Sequence, residues 1–436
     1  MSTALPSTAL LTDRYELTML DAAIGSGTHE RECVFEVFAR RLPDTRRYGV
    51  VAGTGRLLSL IEQFRFGDAE LDWLRSAAVV RPETLDWLAD YRFRGSISGY
   101  QEGDLYFPGS PILVVYGTFA EAVILETLTL SVLNYDSAVA SAAARMVSAA
   151  SGRPLAEMGS RRTGERSAVA AARAAFIAGF SATSNLEAGR SFGIPTMGTA
   201  AHAFTLLHDS EEAAFQAQVD ALGPGTTLLV DTYDIPTAVE LAVKVAGTGL
   251  GAVRIDSGDL PAQVAAVRAQ LDSLGATGTR ITVTNDLDEY TIAALRAAPV
   301  DSFGVGTSVV TGSGEPASGM VYKLVAHRDA AGEWVSVAKK SAAKATVGGR
   351  KFPVRSLHGS GTARAETIYV DEPSTAASGE RPLLVPLLVD GEADPRYTGA
   401  GGTALARDHH ARAMAELPDD AFRLSRGEPA IPTVYA

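Results

Sequence analysis

Two short stretches carry residues able to do chemistry. His202 closes Gly198-Thr-Ala-Ala-His202, and about fifty residues later comes Arg254-Ile-Asp-Ser-Gly-Asp259. A neutral imidazole is a competent nucleophile near pH 7, including toward phosphorus. An arginine fork holds a carboxylate or phosphate through parallel hydrogen bonds. Asp256 and Asp259 offer carboxylates that can bind ribose hydroxyls, hold Mg²⁺ or offset positive charge at a sugar carbon, with Ser257 between them. The alternative for this segment is a strand-end turn with Ser257 and Asp259 as helix caps. Phe303-Gly-Val-Gly306-Thr307-Ser308 reads as a phosphate cradle, since Gly304 and Gly306 let backbone N–H groups approach an oxyanion. Arg161 and Arg162 form a basic pair, and Tyr15 lies in Thr12-Asp-Arg-Tyr-Glu-Leu-Thr18; taken alone, a solvated loop and a packed ring explain them equally well.

The elements that must position these residues alternate. Between about residue 165 and residue 310, helical and strand patterns follow each other with short connections. Helices are expected at 167–180, 202–222, 236–246, 260–274 and 287–297. Strands are expected at 194–198, 227–231, 251–256, 280–284 and 302–306. Thr199 is expected to cap the helix that begins at His202, where free N–H groups favour an anion or a phosphate carried on the imidazole. Ser184 and Asn185 resemble another helix cap. Asp231, Asp256 with Ser257, Asn285 with Asp286, and Gly304 with Gly306 all fall where a strand yields to a loop. In a parallel βα array those ends share one face, which in barrels holds the active site. An open doubly wound sheet would bring the same ends together.

The outer segments mix helical stretches (15–24, 54–64) with strands (33–38, 112–116), and 319–338 reads as a hairpin. Glu392 to Gly402 reads as a loop. The expected fold is α/β: an irregular α/β barrel over 119–322, with a second mixed α+β domain built from residues 1–118 and 323–436.

Composition sets limits. The 436 residues are 46% hydrophobic, enough for more than one core, and the net charge of −12 argues against nonspecific nucleic-acid binding. The single cysteine excludes an intramolecular disulfide and a thiolate zinc site. Asp13, Arg14 and Glu16 arrive too early for a signal peptide. Glu121 and Glu126 interrupt the most apolar stretch, 111–133, so no membrane span is expected and the cytoplasm is the default.

Taken in order, the blocks T-D-R-Y-E-L-T-M, E-T-L-T-L-S-V-L-N-Y, G-S-R-R, T-S-N-L-E-A-G, G-T-A-A-H, D-T-Y-D, R-I-D-S-G-D-L and G-V-G-T resemble the nicotinate phosphoribosyltransferase family, from about residue 12 to residue 325. The resemblance implies transfer of a phosphoribosyl group from 5-phosphoribosyl 1-diphosphate to nicotinate in NAD salvage, giving nicotinate mononucleotide and diphosphate. It further implies ligase-type coupling to ATP hydrolysis through a phosphohistidine, with Mg²⁺. His202 would be the phosphorylated residue. Tyr15 would stack on the pyridine ring, Thr199 would contact nicotinate, and Arg254 would clamp its carboxylate. Gly304, Gly306 and Thr307 would hold the 5-phosphate, while Arg161, Asp231, Asp256 and Ser257 would line the pocket, Asp256 as a catalytic carboxylate. A homodimer is implied, with Tyr15 reaching the neighbouring site.

Gly53-Thr-Gly-Arg departs from the family's bulkier glycine-leucine pattern, and Arg46-Arg47 adds charge nearby. The basic stretch from Lys339 to Lys351 resembles the family only loosely and receives no role. Rival readings are transfer to nicotinamide, which would leave Arg254 without a carboxylate, and transfer to quinolinate, which needs a denser basic pocket. A passive sugar-phosphate binder would use the glycine loop alone. An aldolase-like barrel needs a Schiff-base lysine that the strand ends lack.

Overall fold

The computed structural model describes residues 7–339, 346–373 and 379–436. The chain divides into two compact units: residues 1–141 with 315–436, and residues 142–314. The sequence alone puts these boundaries at 118 and 322. The helix Glu126–Ala150 runs through the first division.

The terminal unit interleaves both ends of the chain. In its seven-stranded sheet, Glu32–Ala39, Leu113–Thr118 and Ser96–Tyr100 sit side by side, flanked by Met320–Arg328 with Trp334–Ser336 on one edge and Leu384–Val389 with Glu392–Ala393 on the other. The expected hairpin is present, with Ala326 opposite Ser336. Apolar side chains from both chain ends fill the core: the Phe35 and Tyr322 rings stack at 5.0 Å. A four-stranded sheet joins Glu380–Pro382, Lys351–Leu357, Ala363–Val370 and Thr433–Tyr435. Of the stretch from Lys339 to Lys351, residues 340–345 lie outside the described residues. The Gly53 departure has a local cause: its φ of 99° suits glycine, and a Cβ there would meet Val132 Cγ1 at 2.8 Å. No helix among the described residues is long and apolar enough to cross a membrane.

The loop expected over 392–402 is mostly ordered. Gly399–Ala415 is an α-helix in spite of its glycines. Close packing requires one of them, since a Cβ on Gly402 would meet the Tyr397 carbonyl carbon at 2.2 Å, and outside the helix a Cβ on Gly103 would meet Ala406 O at 2.2 Å.

The second unit holds six parallel strands, β1 (Leu155–Glu157), β2 (Ala182–Thr183), β3 (Thr227–Leu229), β4 (Ala252–Ile255), β5 (Arg280–Val283) and β6 (Ser302–Val305). Their order is β2-β1-β6-β5-β4-β3. That is the cyclic order of a barrel opened at one seam, between β2 and β3. Leu228, Val253, Ile255, Ile281, Val283 and Val305 are all fully buried, as expected of parallel strands covered on both faces. The strand expected at 194–198 reduces to a single parallel bridge, Thr196 to Thr183, at the seam. The long helix expected from His202 to Leu222 is two, His202–Leu207 and Glu211–Leu222. Ser210 breaks it by capping the second: its hydroxyl accepts from the Ala213 N–H at 3.1 Å.

Candidate active site

The C-terminal ends of β3, β4 and β5 bring their polar residues into one hydrogen-bonded group. Arg254 sits on β4 with its guanidinium largely covered. Nη1 donates to Thr199 Oγ1 at 2.7 Å and to the Ala200 carbonyl at 3.1 Å, and Nε donates to Thr284 Oγ1 at 3.0 Å. Nη2 lies 3.4 Å from Asp256 Oδ2. Asp256 Oδ1 in turn accepts from the Thr284 hydroxyl.

Asp231, two residues past the end of β3, is the second hub. Its Oδ2 accepts from the Asp256 N–H and from the Ser257 hydroxyl, both at 2.8 Å. Its Oδ1 is buried without a hydrogen-bond partner. His202 Nε2 lies 3.9 Å from that oxygen, beyond hydrogen-bond reach. His202 Nδ1 lies 3.2 Å from the Thr232 hydroxyl. The imidazole therefore stands at the open seam, 42% exposed, with one nitrogen engaged and the other free.

Two expectations about caps need correction. Thr199 does not cap the helix at His202; Ala201 occupies that position with no side-chain cap, because the Thr199 hydroxyl is taken by Arg254. Ser257 does not cap either, since Asp231 takes its hydroxyl; Asp259 alone caps the helix Leu260–Ser273. The Asn185 cap is present, its Oδ1 accepting from the Ala188 N–H at 2.9 Å.

Beside Arg254 and Asp256 opens a cavity of about 230 Å³, also lined by Arg161, Arg162, Thr284, Asn285, Asp286, Met158, Gly304, Gly306 and Thr307. Its polar lining suits a charged ligand. The two glycines differ. A Cβ on Gly304 would meet Thr284 Cγ2 at 2.6 Å and Met158 Sδ at 2.7 Å, so packing requires that glycine. A Cβ on Gly306 would meet nothing closer than 3.5 Å, which leaves its bare backbone to the cavity. Asn285 adopts a φ of 115°, a strained value for a residue with a side chain, at the cavity's rim.

Sequence reasoning missed three contributors. Thr284 was seen only as the end of β5, yet its hydroxyl joins Arg254 to Asp256. Asp286 was noted at a strand end but not as a site residue, and it lines the cavity. Glu157, at the end of β1, is fully buried; Oε2 accepts from Thr183 Oγ1 at 2.6 Å and the other oxygen accepts from the Gly159 N–H. Burial pushes its pKa up, and these hydrogen bonds only partly offset that. It ties the turn carrying Arg161 and Arg162 to β2. A carboxylate directly before a Met-Gly-Ser-Arg-Arg turn was the available signal.

Tyr15 belongs to the terminal unit, on the helix Arg14–Ser26, with its ring 45% exposed. Burial and the neighbouring Glu126 carboxylate raise its hydroxyl pKa.

Six parallel strands in opened-barrel order, with a polar cavity at their C-terminal ends and a separate mixed unit, give this chain the fold of a phosphoribosyltransferase. It aligns with the crystal structure of human nicotinic acid phosphoribosyltransferase over 98% of this chain and 97% of that one, with a TM-score of 0.80 and 26% identity. A nicotinate-nucleotide pyrophosphorylase from Pyrococcus furiosus shares the fold at a TM-score of 0.75 and 22% identity, covering 94% and 95% of the two chains. Residues 10–134 match the nicotinate phosphoribosyltransferase N-terminal domain, and residues 154–351 match the nicotinate phosphoribosyltransferase family. The chain is 56% identical to nicotinate phosphoribosyltransferase pncB1 of Mycobacterium tuberculosis, covering 97% of this chain and 94% of that protein. It is 37% identical to the nicotinate phosphoribosyltransferase of Bacillus subtilis, over 81% and 74% of the two. The chain belongs to the nicotinate phosphoribosyltransferase family.

Proposed function

We propose that the chain joins nicotinate to 5-phosphoribosyl 1-diphosphate in NAD salvage, and that ATP hydrolysis drives this through phosphorylation of His202. Family membership supports the transfer. The observation that carries the coupling is the placement of His202 beside Asp231, whose buried Oδ1 has no partner. As Nε2 attacks the γ-phosphorus of ATP, the bond to the β-phosphate oxygen breaks and ADP departs. The ring gains positive charge in that step, and Asp231 offsets it. Thr232 holds the other nitrogen in place.

In the transfer itself, the pyridine nitrogen attacks C1 of the ribose while the C1–O bond to diphosphate breaks, the electron pair leaving on the diphosphate oxygen. Positive charge builds at C1, and Asp256, whose backbone N–H is anchored on Asp231, is placed to stabilise it. Arg254 and Thr199 receive the nicotinate carboxylate. Gly304, Gly306 and Thr307, with Arg161, hold the 5-phosphate, and Ser257 completes the wall. Asp256 and Asp286 would hold Mg²⁺, which would neutralise the departing diphosphate. This fits the donor set: among the described residues no group of three or more His, Cys, Asp or Glu could hold a metal alone, while Asp256 and Asp286 can each add a carboxylate. The working unit is a homodimer in the cytoplasm, with the exposed Tyr15 ring offered to the neighbouring site.

The test is mononucleotide formation from labelled nicotinate and phosphoribosyl diphosphate with Mg²⁺, with and without ATP. Product should rise strongly with ATP, and acid-labile phosphate should appear on the protein. His202→Ala should abolish the ATP stimulation and leave slow transfer. Equal activity in the variant and wild type, with and without ATP, would sink the assignment.

A further inference from the structure

The hydrogen-bond count on Arg254 has a consequence for substrate choice. A guanidinium has five N–H donors. Nε is given to Thr284, both Nη1 hydrogens to Thr199 and Ala200, and one Nη2 hydrogen points toward Asp256. One donor remains. A carboxylate ligand therefore cannot take Arg254 side-on through two free N–H groups, and whether it binds depends on how tightly Asp256 competes for Nη2.

Thr284 governs that competition. Its side chain is buried, its hydroxyl accepts from Arg254 Nε at 3.0 Å, and its proton goes to Asp256 Oδ1. With Oδ1 engaged by the hydroxyl, Asp256 Oδ2 stays 3.4 Å from Nη2, longer than a close charged pair. We infer that Thr284 is a specificity-determining positioning residue: its hydroxyl holds Asp256 and Arg254 apart, keeping the guanidinium available to an anionic pyridine substrate. Without the hydroxyl, Asp256 turns fully onto Arg254, the pair closes, and the arginine loses its appetite for a second carboxylate. This deepens the proposed function and rests on it.

Thr284→Val keeps the shape, including the methyl against Gly304, and removes the hydroxyl. Thr284→Ser keeps the hydroxyl and removes the methyl. Steady-state kinetics of the full-length enzyme, varying each substrate with the other and ATP saturating, separates the roles. In Thr284→Val the KM for nicotinate should rise about tenfold, as expected for loss of a hydrogen bond to a charged group. The KM for phosphoribosyl diphosphate should rise less than that for nicotinate, since Asp256 also faces the ribose carbon, and the preference for nicotinate over nicotinamide should shrink about tenfold by the same reasoning. Thr284→Ser should keep both nicotinate KM and preference near wild type. If the valine variant does not fold, Thr284→Ala compared with Thr284→Ser reads the same hydroxyl. An unchanged nicotinate KM, or equal rises in both KM values, overturns the inference. A wild-type enzyme that makes no mononucleotide overturns the proposed function instead.

Discussion

Each unit contains an arginine bound to carboxylates, and the two networks have opposite character. In the terminal unit Arg355 is 1% exposed, donating to Asp104 at 2.8 Å and to Glu366 at 2.5 Å, with Glu416 at 3.3 Å. Arg381 and His409 add further bonds to Asp104, and Tyr100 and Ser110 bind Glu366. Burial alone would raise the Asp104 pKa, but Arg355, His409 and Arg381 hold it well below the usual carboxylate range. In the parallel-sheet unit, Arg254 is 15% and Asp256 30% exposed, Asp231 keeps an unpartnered oxygen, and a cavity opens alongside. The first network is closed at its carboxylates, every oxygen of Asp104 and Glu366 being engaged, and only the buried Nε atoms of Arg355 and Arg381 lack a partner among the described residues. The second leaves donors and acceptors open, and that incompleteness is what makes it a site. Charge in the sequence marks both; only connectivity separates structure from function.

The contrast breaks most readily at Arg355. Arg355→Met would strand Asp104 and Glu366 in the interior and should cost about 3–5 kcal/mol of stability. The denaturant midpoint reads this directly. Arg254→Met, at the open site, should cost no more than about 1 kcal/mol while raising the KM for nicotinate at least about tenfold. Similar midpoints for the two variants would mean the networks do not differ as described.

How much was legible follows the same division. The βα alternation, and the gathering of Asp231, Arg254, Asp256 and Ser257 at strand ends, could be read because strand period and turn chemistry are local. The Arg355 network could not, since Asp104 and Arg355 are brought together only by the pairing of distant strands. Thr284 escaped for a related reason: a threonine ending a strand is ordinary until its neighbours across the sheet are known. The loop reading of Glu392 to Gly402 overlaps the start of the helix Gly399–Ala415, because glycine disfavours helix, yet contact with Gly103 and Tyr397 selects small residues there. The break at Ser210 was visible in principle, as a serine followed by two glutamates is a helix start.

A finer test lies between two glycines at the end of β6, proposed above to hold the 5-phosphate. Gly304→Ala forces a Cβ into Thr284 and Met158 and should cost about 1–3 kcal/mol of stability. Gly306→Ala meets no such wall and should stay within about 0.5 kcal/mol of wild type. It should nevertheless raise the KM for phosphoribosyl diphosphate, because the methyl occupies the approach of the 5-phosphate. A stable Gly306→Ala enzyme with an unchanged KM would place the phosphate elsewhere.

The last comparison concerns Glu16, next to Tyr15 in the terminal unit. Its carboxylate is fully buried and accepts from the Thr127 N–H at 2.8 Å, with the Thr12 and Thr127 hydroxyls also bound to it. Burial outweighs these bonds and pushes its pKa up to about 7 from 4.5. Unlike Asp104, it forms no ion pair among the described residues. Between those two values the folded chain binds more protons than the unfolded chain, so this group's contribution to stability is full below about pH 4.5 and declines as pH rises through about 7. Glu16→Gln keeps the shape and removes the titration. Denaturant midpoints taken across that window should fall with rising pH in wild type and fall less in Glu16→Gln. Parallel profiles would show that the Thr12 and Thr127 donors already stabilise the ionised form, making this buried carboxylate as well compensated as the one beside Arg355.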